Sequence, residues 1–394
     1  MKKSLMLLAV ALFMSITGCK GSGAPTINVW SLVVAPAITS VNSATFTEGT
    51  GGTFTVIASG HPDPTFSLSG ELPTGVTFNT TSGILAGTPA TGTAGTYPLI
   101  FTASNGIFPN ATQNFTLTVI EVFSELFVAD QLAGHVYVFN RTADGLAAPI
   151  RTISGLDEPN NVAVDRVNNE LFVICKGNTT IQVFSRTADG VATPLRTITG
   201  VDSGGNLVGL VVDSVNNELF VAHNKTVRVY ARNANGAATP LRTITTAGIN
   251  GATGVAVDAI NNELFVANNT DSEIYVFSRT ADGPAAPLRT ITGVNGVQGL
   301  AVDLVNNELT AGTTNNVRVF SRTADDADAP LRTVTVVGPS DLEGVAVNTI
   351  NNELLVTDYV NRLIYVFDRT ADGAATPLRT ITGLSGPKGI DIGP

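Results

Sequence analysis

The sequence predicts an all-β protein in which a small β-sandwich precedes a six-bladed β-propeller that is closed by its C-terminal strand. A repeat carries most of this prediction, because a Glu-Leu turn recurs at intervals of 45, 48, 45, 45 and 45 residues. Its glutamates are Glu125, Glu170, Glu218, Glu263, Glu308 and Glu353. Each repeat holds four short runs rich in Val, Ile, Phe, Tyr and Leu, separated by the turn residues Gly, Asn, Asp and Pro. Four strands in a unit of this period are typical of a propeller blade.

The repeat at residues 254–294 shows the predicted strands most clearly. We name them A to D from the inside of the blade outwards, and they cover residues 254–258, 263–267, 273–279 and 287–292. Asn261 and Asn262 suit the A-to-B turn because asparagine tolerates a positive φ, and Gly283 suits the left-handed position of the C-to-D turn. Pro287 lacks a backbone donor at the start of strand D, which predicts that D is the edge strand.

The C-terminal tail supplies the strand that the first repeat lacks. Strand B occurs six times, whereas strand A occurs five times, at Val162, Leu210, Val255, Leu300 and Val345. Residues 389–392, Gly-Ile-Asp-Ile, match strand A and have no strand B after them. We therefore predict that the tail pairs with residues 125–129 and closes a ring of six blades, with Ile390 and Ile392 pointing into one blade.

The N-terminal segment has the pattern of a bacterial export signal. Two lysines precede an apolar run from Leu5 to Ile16, which is too short to span a bilayer as a mature helix. Ile16-Thr17-Gly18-Cys19 resembles the lipobox, in which the signal is cut before a cysteine that then carries lipid. The resemblance implies a lipoprotein signal peptide at 1–18 and lipidation of Cys19, which anchors the protein in a membrane. An ordinary signal peptide is the alternative. Residues 19–36 are predicted to be a Gly-, Ser- and Pro-punctuated tether.

Charge and cysteine content restrict the partners and the disulfides that the chain can have. The formal charge of −10 becomes −12 when Lys2 and Lys3 leave with the signal, and the arginines form no basic patch. We therefore predict no nucleic-acid partner. Lipidation of Cys19 leaves one thiol, Cys175, so no intrachain disulfide can form. Cys19 is followed by Lys20 and Gly21. The chain therefore does not have the Asp after cysteine that resembles an inner-membrane retention signal. We expect a monomer in the bacterial cell envelope, in the outer membrane or at the cell surface.

Residues 37–121 differ in composition from the rest of the chain. Thr, Gly and Ser alternate with apolar residues, and turn signals recur about every ten residues, which predicts an antiparallel sandwich of about seven strands. Predicted strands lie at 53–59, 75–79, 97–106 and 114–121. The run from Leu72 to Gly106 resembles the Ig-like domains of bacterial surface proteins. That resemblance implies a spacer or an adhesive module without catalytic residues.

Residues 122–394 carry the propeller repeats. Their pattern Gly-Val-Ala-Val-Asp, Asn-Glu-Leu-Phe-Val-Ala-Asp/Asn and Ile-Tyr-Val-Phe resembles the NHL repeat. Members of that family build six-bladed propellers and include protein-binding and RNA-binding domains, bacterial sensor domains, and a few lyases and hydrolases. The resemblance implies the fold but no activity. The chain departs from the common pattern in its long Thr-Ala-Asp-Gly-x-Ala-x-Pro-Leu-Arg-Thr segment between strands C and D.

Twelve of the 16 arginines occupy two repeated positions, one ending strand C and one in strand D. Aspartates recur in the hairpin between them. We predict exposed charge pairs across each hairpin, such as Arg279 with Asp282, so that reversing Arg279 would cost at most about 1 kcal/mol. The aspartates that end strand A, such as Asp258, are predicted to cap the following turn.

The connections of the propeller differ between its two faces. The A-to-B and C-to-D turns are nearly identical in every repeat, whereas the B-to-C and D-to-A loops change each time. A binding site needs different side chains from each blade, so we place it on the variable face, although loop drift would give the same pattern. The candidate ligand-binding residues are Asp130, His223, Asn268, Asp358, Tyr359 and Arg362.

Two functions remain open at this stage. The residues that follow the turn glutamate by five form a ring of Asp130, Cys175, His223, Asn268, Thr313 and Asp358. Such a ring can ligate a divalent ion, but the repeats contain no HxxH or DxD pair, so we assign no catalytic residue, metal or cofactor. The favoured function is a noncatalytic envelope lipoprotein whose propeller binds a protein, glycan or small ligand. The alternative is a propeller enzyme, a metal-dependent lactonase or other hydrolase, or a lyase, with its site at the channel mouth.

Overall fold

The computed structural model describes residues 33–90, 93–120, 125–201, 207–246, 248–338 and 340–392. All regular structure in these ranges is β, and the chain divides into two compact units, Met1–Val122 and Phe123–Pro394. The predicted signal peptide and Cys19 lie outside the described residues. No helix in the described ranges has the length and apolar character needed to cross a bilayer.

The described residues of the first unit form a sandwich of nine strands. A four-stranded sheet has the order β2-β9-β8-β5, a three-stranded sheet has the order β3-β7-β6, and β1 pairs with β4. The strands are β1 (Val34–Ile38), β2 (Ser43–Thr47), β3 (Gly52–Thr55), β4 (Ala58–His61), β5 (Thr65–Ser69), β6 (Val76–Asn79), β7 (Ile84–Gly87), β8 (Gly95–Ser104) and β9 (Ala111–Ile120).

The core of the sandwich follows the alternation of its strands. In β8 the side chains of Leu99, Phe101 and Ala103 are buried, and the residues between them face outwards or are half-buried. Four details differ from the prediction. Nine strands are present where about seven were expected, and β2 pairs with β9 in parallel, so the sandwich is not wholly antiparallel. The strand expected at 53–59 is divided into β3, which pairs with β7, and β4, which pairs with β1. Strand β1 begins inside the segment predicted as a tether, which extended to residue 36.

The described residues of the second unit form six sheets, and each sheet contains four strands in the order A to D. The sheet of blade 2 has a short fifth strand beside its strand D. Blade 1 takes β10 (Glu125–Asp130), β11 (His135–Asn140) and β12 (Arg151–Ser154) from the start of the unit and β34 (Pro387–Asp391) from its end. Blades 2 to 6 are consecutive in the chain. Blade 2 contains β13 (Pro159–Asp165), β14 (Glu170–Cys175), β15 (Thr180–Ser185) and β16 (Arg196–Thr199), and blade 3 contains β17 (Leu207–Asp213), β18 (Glu218–His223), β19 (Thr226–Ala231) and β21 (Arg242–Ile244). Blade 4 contains β22 (Ala252–Asp258), β23 (Glu263–Asn268), β24 (Glu273–Ser278) and β25 (Arg289–Ile291), blade 5 contains β26 (Val297–Asp303), β27 (Glu308–Thr313), β28 (Asn316–Ser321) and β29 (Arg332–Thr335), and blade 6 contains β30 (Leu342–Asn348), β31 (Glu353–Asp358), β32 (Leu363–Asp368) and β33 (Arg379–Ile381).

The tail strand closes the ring as predicted. Val128 pairs with Ile390, and Phe127 pairs with Asp391. The A strands of neighbouring blades contact one another around the whole ring, and β34 contacts both β30 and β13. Ile390 and Ile392 lie in one apolar cluster between blades 6 and 1, together with Val128 and Leu355. The predicted turn conformations are also confirmed, since Asn262 has a φ of 57° and Gly283 a φ of 61°.

The long C-to-D segment joins each blade to the next. The glycine of this segment, or Asp326 in blade 5, forms a parallel bridge to strand D of the preceding blade at all six junctions. In blade 3 the bridge extends to a two-residue strand, β20 (Gly236–Ala237). The hairpin aspartate adds a bond at the same place: Oδ1 of Asp282 accepts from the backbone amide of Thr243 in blade 3 at 3.0 Å. The long C-to-D segment, in which this chain departs from the common repeat, therefore links neighbouring blades.

The prediction of exposed arginine–aspartate pairs across each hairpin is wrong. The strand D arginine bonds instead to the turn glutamate of its own blade, as Arg196 does to Glu170 at 2.5 Å. The same glutamate also accepts from the arginine that ends strand C of the next blade, Arg232, at 2.5 Å. These Arg-Glu-Arg groups are largely buried, because the glutamate lies between two packed sheets. They connect blades rather than solubilise hairpins.

Candidate functional site

The aspartate that ends strand B of blade 1 holds the loop that precedes strand A. Asp130 is fully buried, and its carboxylate accepts hydrogen bonds from the backbone amides of Ala133, Ser385 and Gly386 at 3.2, 2.7 and 2.8 Å. These three bonds occupy most of the roughly four acceptor positions of the carboxylate. Asp130 therefore serves the fold of its own blade.

The equivalent residues of blades 4 and 6 have the same surroundings. Asn268 is fully buried, accepts from the amides of Asn250 and Gly251, and donates to the carbonyl of Gly248. Asp358 is also fully buried and accepts from both nitrogens of Asn361, at 3.0 and 2.7 Å. A ligand could reach either side chain only by replacing these bonds. We therefore interpret both as loop anchors.

The remaining members of the predicted strand-exit ring are buried too. His223 ends strand β18 with 9% of its surface exposed. Cys175 is fully buried, and burial raises the pKa of its thiol to about 12, which is the opposite of what a nucleophile requires. Among the described residues, no group of three or more His, Cys, Asp and Glu side chains is placed to hold a metal ion.

Tyr359 and Arg362 are the two predicted residues that reach the surface. Arg362 is exposed at the tip of the B-to-C loop of blade 6, where its φ is 59°. Tyr359 is half-buried, and the ammonium group of Lys388 lies 4.0 Å from the centre of its ring. This cation–π contact joins the loop of blade 6 to the strand that closes blade 1.

Lys388 also forms an ion pair with Glu343 at the mouth of the central channel. About a sixth of each side chain remains exposed, 17% for Lys388 and 15% for Glu343. Burial raises the pKa of the Glu343 carboxyl, whereas the nearby Lys388 lowers it. A carboxylate and an ammonium group are therefore held together in a partly desolvated site, where the attraction between the two charges compensates for lost hydration.

Lys388 and Glu343 belong to a set of six equivalent positions. In each blade, this residue lies near the start of strand A, directly before a position that is glycine in five of the six blades. The six residues surround a small cavity of about 30 Å³ at the mouth of the channel. We call them the mouth ring: Asn160, Val208, Thr253, Gln298, Glu343 and Lys388. All six differ, and five are polar. Asn160 is buried, and the other five are half-buried.

The position after the mouth ring is almost uniform. It is glycine in five blades, and Asn161 occupies it in blade 2. A methyl group on Gly254 would lie 2.3 Å from the carbonyl oxygen of Gln298, and one on Gly299 would lie 2.5 Å from that of Glu343. Only glycine permits the A strands to approach so closely. The same backbone therefore presents six different side chains above a constant, narrow neck.

Below the neck the channel widens to a cavity of about 260 Å³. Its lining is mainly Val, Ala, Ile and Leu of the A strands, with one carboxyl group, that of Asp391. Asp391 accepts a hydrogen bond from the backbone amide of Val164 in blade 2 at 2.8 Å. Burial raises the pKa of this carboxyl to about 6, although the bond from Val164 and the charge of Arg166 lower it.

Sequence reasoning missed both the mouth ring and Asp391. The signal was present in strand A, where one position varies through Asn, Val, Thr, Gln, Glu and Lys beside a glycine. Likewise, Asp391 stands where four of the other repeats have Ala and one has Val. Asp391 lies within the predicted strand A. The mouth-ring residue stands directly before that predicted strand, at the end of the variable D-to-A connection, but the candidates chosen on the variable face came from the end of strand B and from the B-to-C loop.

Comparison with protein families gives one match. Residues 35–120 match the family model described as Putative Ig domain. This confirms the Ig-like character predicted for the sandwich. No curated protein matches the chain.

Solved structures resemble the propeller. A functionally unknown protein from Desulfotomaculum acetoxidans DSM 771 aligns with a TM-score of 0.52 and 14% identity, over 68% of this chain and 98% of that one. A chain from a nidogen–laminin complex aligns with a TM-score of 0.52 and 15% identity, over 68% and 97%. The Cps50 (Swd1) β-propeller domain from Myceliophteria thermophila aligns at 0.46 and 14%, over 67% and 85%. At these identities the first two likenesses show the fold alone.

Proposed function

We propose that this chain is a noncatalytic lipoprotein of the bacterial cell envelope whose propeller binds a ligand at the mouth ring. The observation that carries the proposal is the contrast within strand A: six different side chains at one position, directly above a glycine neck. Packing explains the glycines, because a methyl group would collide with the next strand. It does not explain why the neighbouring position varies in chemistry from blade to blade.

The mouth ring suits a polar ligand, or the polar tip of a protein or glycan. Gln298 offers an amide, and the ion pair of Glu343 with Lys388 offers both charges within one small site. The hydroxyl of Thr253 donates to the carbonyls of Val297 and Gln298, so it offers a ligand only its acceptor lone pairs. A ligand that hydrogen-bonds to this pair replaces water that the site already partly excludes, so each bond strengthens in the lower dielectric. Tyr359 adds an aromatic ring beside Lys388.

The remaining parts of the proposal concern location. The lipobox-like sequence at Cys19 supports attachment to a membrane, and the Ig-like sandwich supports a spacer between that anchor and the propeller. In this arrangement the propeller acts as a scaffold that presents its mouth ring to an envelope protein, an envelope glycan or a small ligand. The mouth ring replaces the strand-exit residues as the candidate site, together with Tyr359 and Arg362.

A binding experiment with matched variants tests the proposal. Full-length protein, a mouth variant (Thr253→Ala, Gln298→Ala, Lys388→Ala) and a control variant (Thr193→Ala, Thr239→Ala, Thr376→Ala) would be immobilised in equal amounts. The control threonines are exposed on the segment before strand D. Solubilised envelope proteins and peptidoglycan fragments serve as the two probes. We expect one probe to be retained by the wild type and the control, and to be reduced at least tenfold on the mouth variant.

Equal retention on all three proteins would contradict the proposed site. Retention lost on the control but kept on the mouth variant would place binding on the outer edge of the ring. Thermal unfolding of each protein excludes the trivial explanation that a variant has lost its fold.

A further inference from the structure

The turns between strands A and B present aliphatic side chains to solvent. The third residue of this turn is Val or Ile in all five blades that have the turn, and its side chain is between 61% and 79% exposed. These residues are Val167, Val215, Ile260, Val305 and Ile350. They lie on the face opposite the mouth ring and close to the channel, because strand A is the innermost strand of each blade.

The turns hold these side chains in fixed positions. The side chain of Asp258 accepts from the amides of Ile260 and Asn261, and it also accepts from the side chain of Asn261. Asp303 does the same in blade 5. The following asparagine is in the left-handed conformation in all five turns, with φ of 56° to 58°. A partner would therefore meet a preordered apolar surface and lose little entropy in ordering it.

The charges on this face are unevenly distributed. In blade 4, Arg279 and Arg289 balance Asp258 and Glu263 (+2 − 2), and the hairpin aspartate Asp282 remains as −1. In the other blades, the charged residues counted are those of the A-to-B turn, the turn glutamate, the two repeated arginines and the C-to-D hairpin. The formal charge is −3 for blade 5 and −1 for blade 6, whereas blades 1, 2 and 3 are neutral. The acidic excess lies on exposed hairpin residues of the outer rim: Asp282, Asp325, Asp326, Asp328 and Asp372.

Asp326 gives independent evidence that its own carboxylate is not needed for the fold. It has a φ of 48° at the position where the other five repeats have glycine. A side chain in this left-handed region is less favourable than glycine, so folding alone favours glycine. Its carboxylate instead adds to that of Asp325 and Asp328 at one edge of blade 5.

From these observations we infer a second docking surface on the A-to-B turn face of blades 4 to 6, specific for a protein with an apolar centre and a basic rim. Ile260, Val305 and Ile350 form the apolar centre, and the five aspartates form the rim. The acidic rim opposes a second copy of the same face and an anionic bilayer, since both would bring like charges together. This surface is separate from the mouth ring and stands without it.

The test uses synthetic amphipathic helical peptides that carry a leucine face flanked by lysines, with a second peptide in which glutamate replaces lysine. The protein is the chain without residues 1–19, so that both compact units are kept. A surface variant carries Ile260→Asn, Val305→Asn and Ile350→Asn. The matched control carries Leu241→Asn, Leu288→Asn and Leu331→Asn on the outer edge, where the exposures are 56%, 57% and 54%. A charge variant carries Asp326→Gly, which restores the repeat, and Asp328→Asn.

Fluorescence anisotropy should show binding of the leucine–lysine peptide to the wild type and the control. Affinity should fall at least tenfold in the surface variant, at least threefold in the charge variant, and with added salt. The leucine–glutamate peptide should bind more than tenfold more weakly than its lysine counterpart. Equal binding of the lysine peptide to the surface variant and the control would overturn the proposal. The proposal would also be overturned if the wild type self-associated in sedimentation, or bound to phosphatidylglycerol vesicles, and the surface variant did not.

Discussion

Arg279 shows how single side chains join neighbouring blades. It ends strand C of blade 4, is 9% exposed, and bonds to Glu218 of blade 3. Its Nε donates to Asn262 of its own blade at 3.0 Å, and Asp213 lies 3.8 Å away. Removal of the Arg279 charge leaves Glu218 paired with Arg242 alone and leaves the buried carboxylate of Asp213 without this nearby cation. Loss of one partner from a buried group of charges is the costly case for an ion pair.

Arg279→Glu should therefore lower the free energy of unfolding by about 3 kcal/mol or more, because it also brings a third carboxylate next to Glu218 and Asp213. The sequence alone led us to expect at most about 1 kcal/mol. Urea denaturation measures the difference. Arg362→Glu, on an exposed loop, is the control and should change stability by no more than about 0.5 kcal/mol. A small effect of both substitutions would mean that the buried pair contributes little.

Asp391 makes stability depend on pH. Its folded-state pKa of about 6 lies above the ordinary value of 3.8, so the folded protein favours the protonated form. The resulting stabilisation is fully present below about pH 4 and is lost as the pH rises through about 6. At 1.36 kcal/mol per pKa unit, the total is at most about 3 kcal/mol.

Asp391→Asn removes this titration. We expect the variant to gain stability relative to the wild type as the pH rises from 4 to 7, with no further change above pH 7. Chemical denaturation at each pH gives the difference between the two proteins, and other titrating groups cancel. A difference that stays constant from pH 4 to 7 would show that the carboxyl of Asp391 titrates normally.

The closing strand is the element on which the ring depends most. Strand β34 pairs with β10 and contacts the A strands on both sides, and Ile390 and Ile392 are at most 7% exposed. Without it, β10 becomes an open edge and an apolar cluster between two blades meets solvent.

Deleting residues 387–394 from the full chain should lower the melting temperature of the propeller transition by more than about 10 °C, and unfolding should become less cooperative. Calorimetry resolves this transition from that of the sandwich. A propeller transition within about two degrees of the wild type would refute the role of the tail strand.

The sequence was most informative about elements whose residues recur. Periodicity, turn chemistry and the extra Gly-Ile-Asp-Ile segment were sufficient to predict six blades and their closure, because each signal appears several times. Contacts between blades were not predictable, because Glu170 and Arg232 are 62 residues apart and no local pattern pairs them. The predicted site failed for a related reason. Asp130, Asn268 and Asp358 looked like variable polar residues, and only the structure shows that their hydrogen bonds go to adjoining loops.

At the scale of the whole molecule, the proposal is a ring-shaped binding module carried on an Ig-like unit and a lipid. The two faces of the ring have different chemistry. One carries the mouth ring of mixed polar side chains, and the other carries aliphatic turns beside an acidic rim. On this proposal, a lipid anchor at Cys19 would decide where in the cell either face can meet a partner.

Cys19→Ala should abolish labelling by a fatty-acid analogue and leave the protein uncleaved or soluble, because the substituted chain lacks the thiol of the lipobox-like sequence. Cys175→Ser is the control and should be labelled and located like the wild type, since that thiol is fully buried. Equal labelling of the wild type and the Cys19→Ala variant would rule out this anchor.

The central claim is that an envelope ligand contacts the mouth ring, and photo-crosslinking in intact cells tests it most directly. A benzophenone side chain would be placed at Gln298 in the mouth ring or at Thr376 on the outer edge, in otherwise unchanged protein. We predict a discrete adduct from position 298 and none from position 376, with the adduct at 298 lost when Lys388→Ala is added. An adduct from position 376 alone, or one from position 298 that is unaffected by Lys388→Ala, would contradict the assignment.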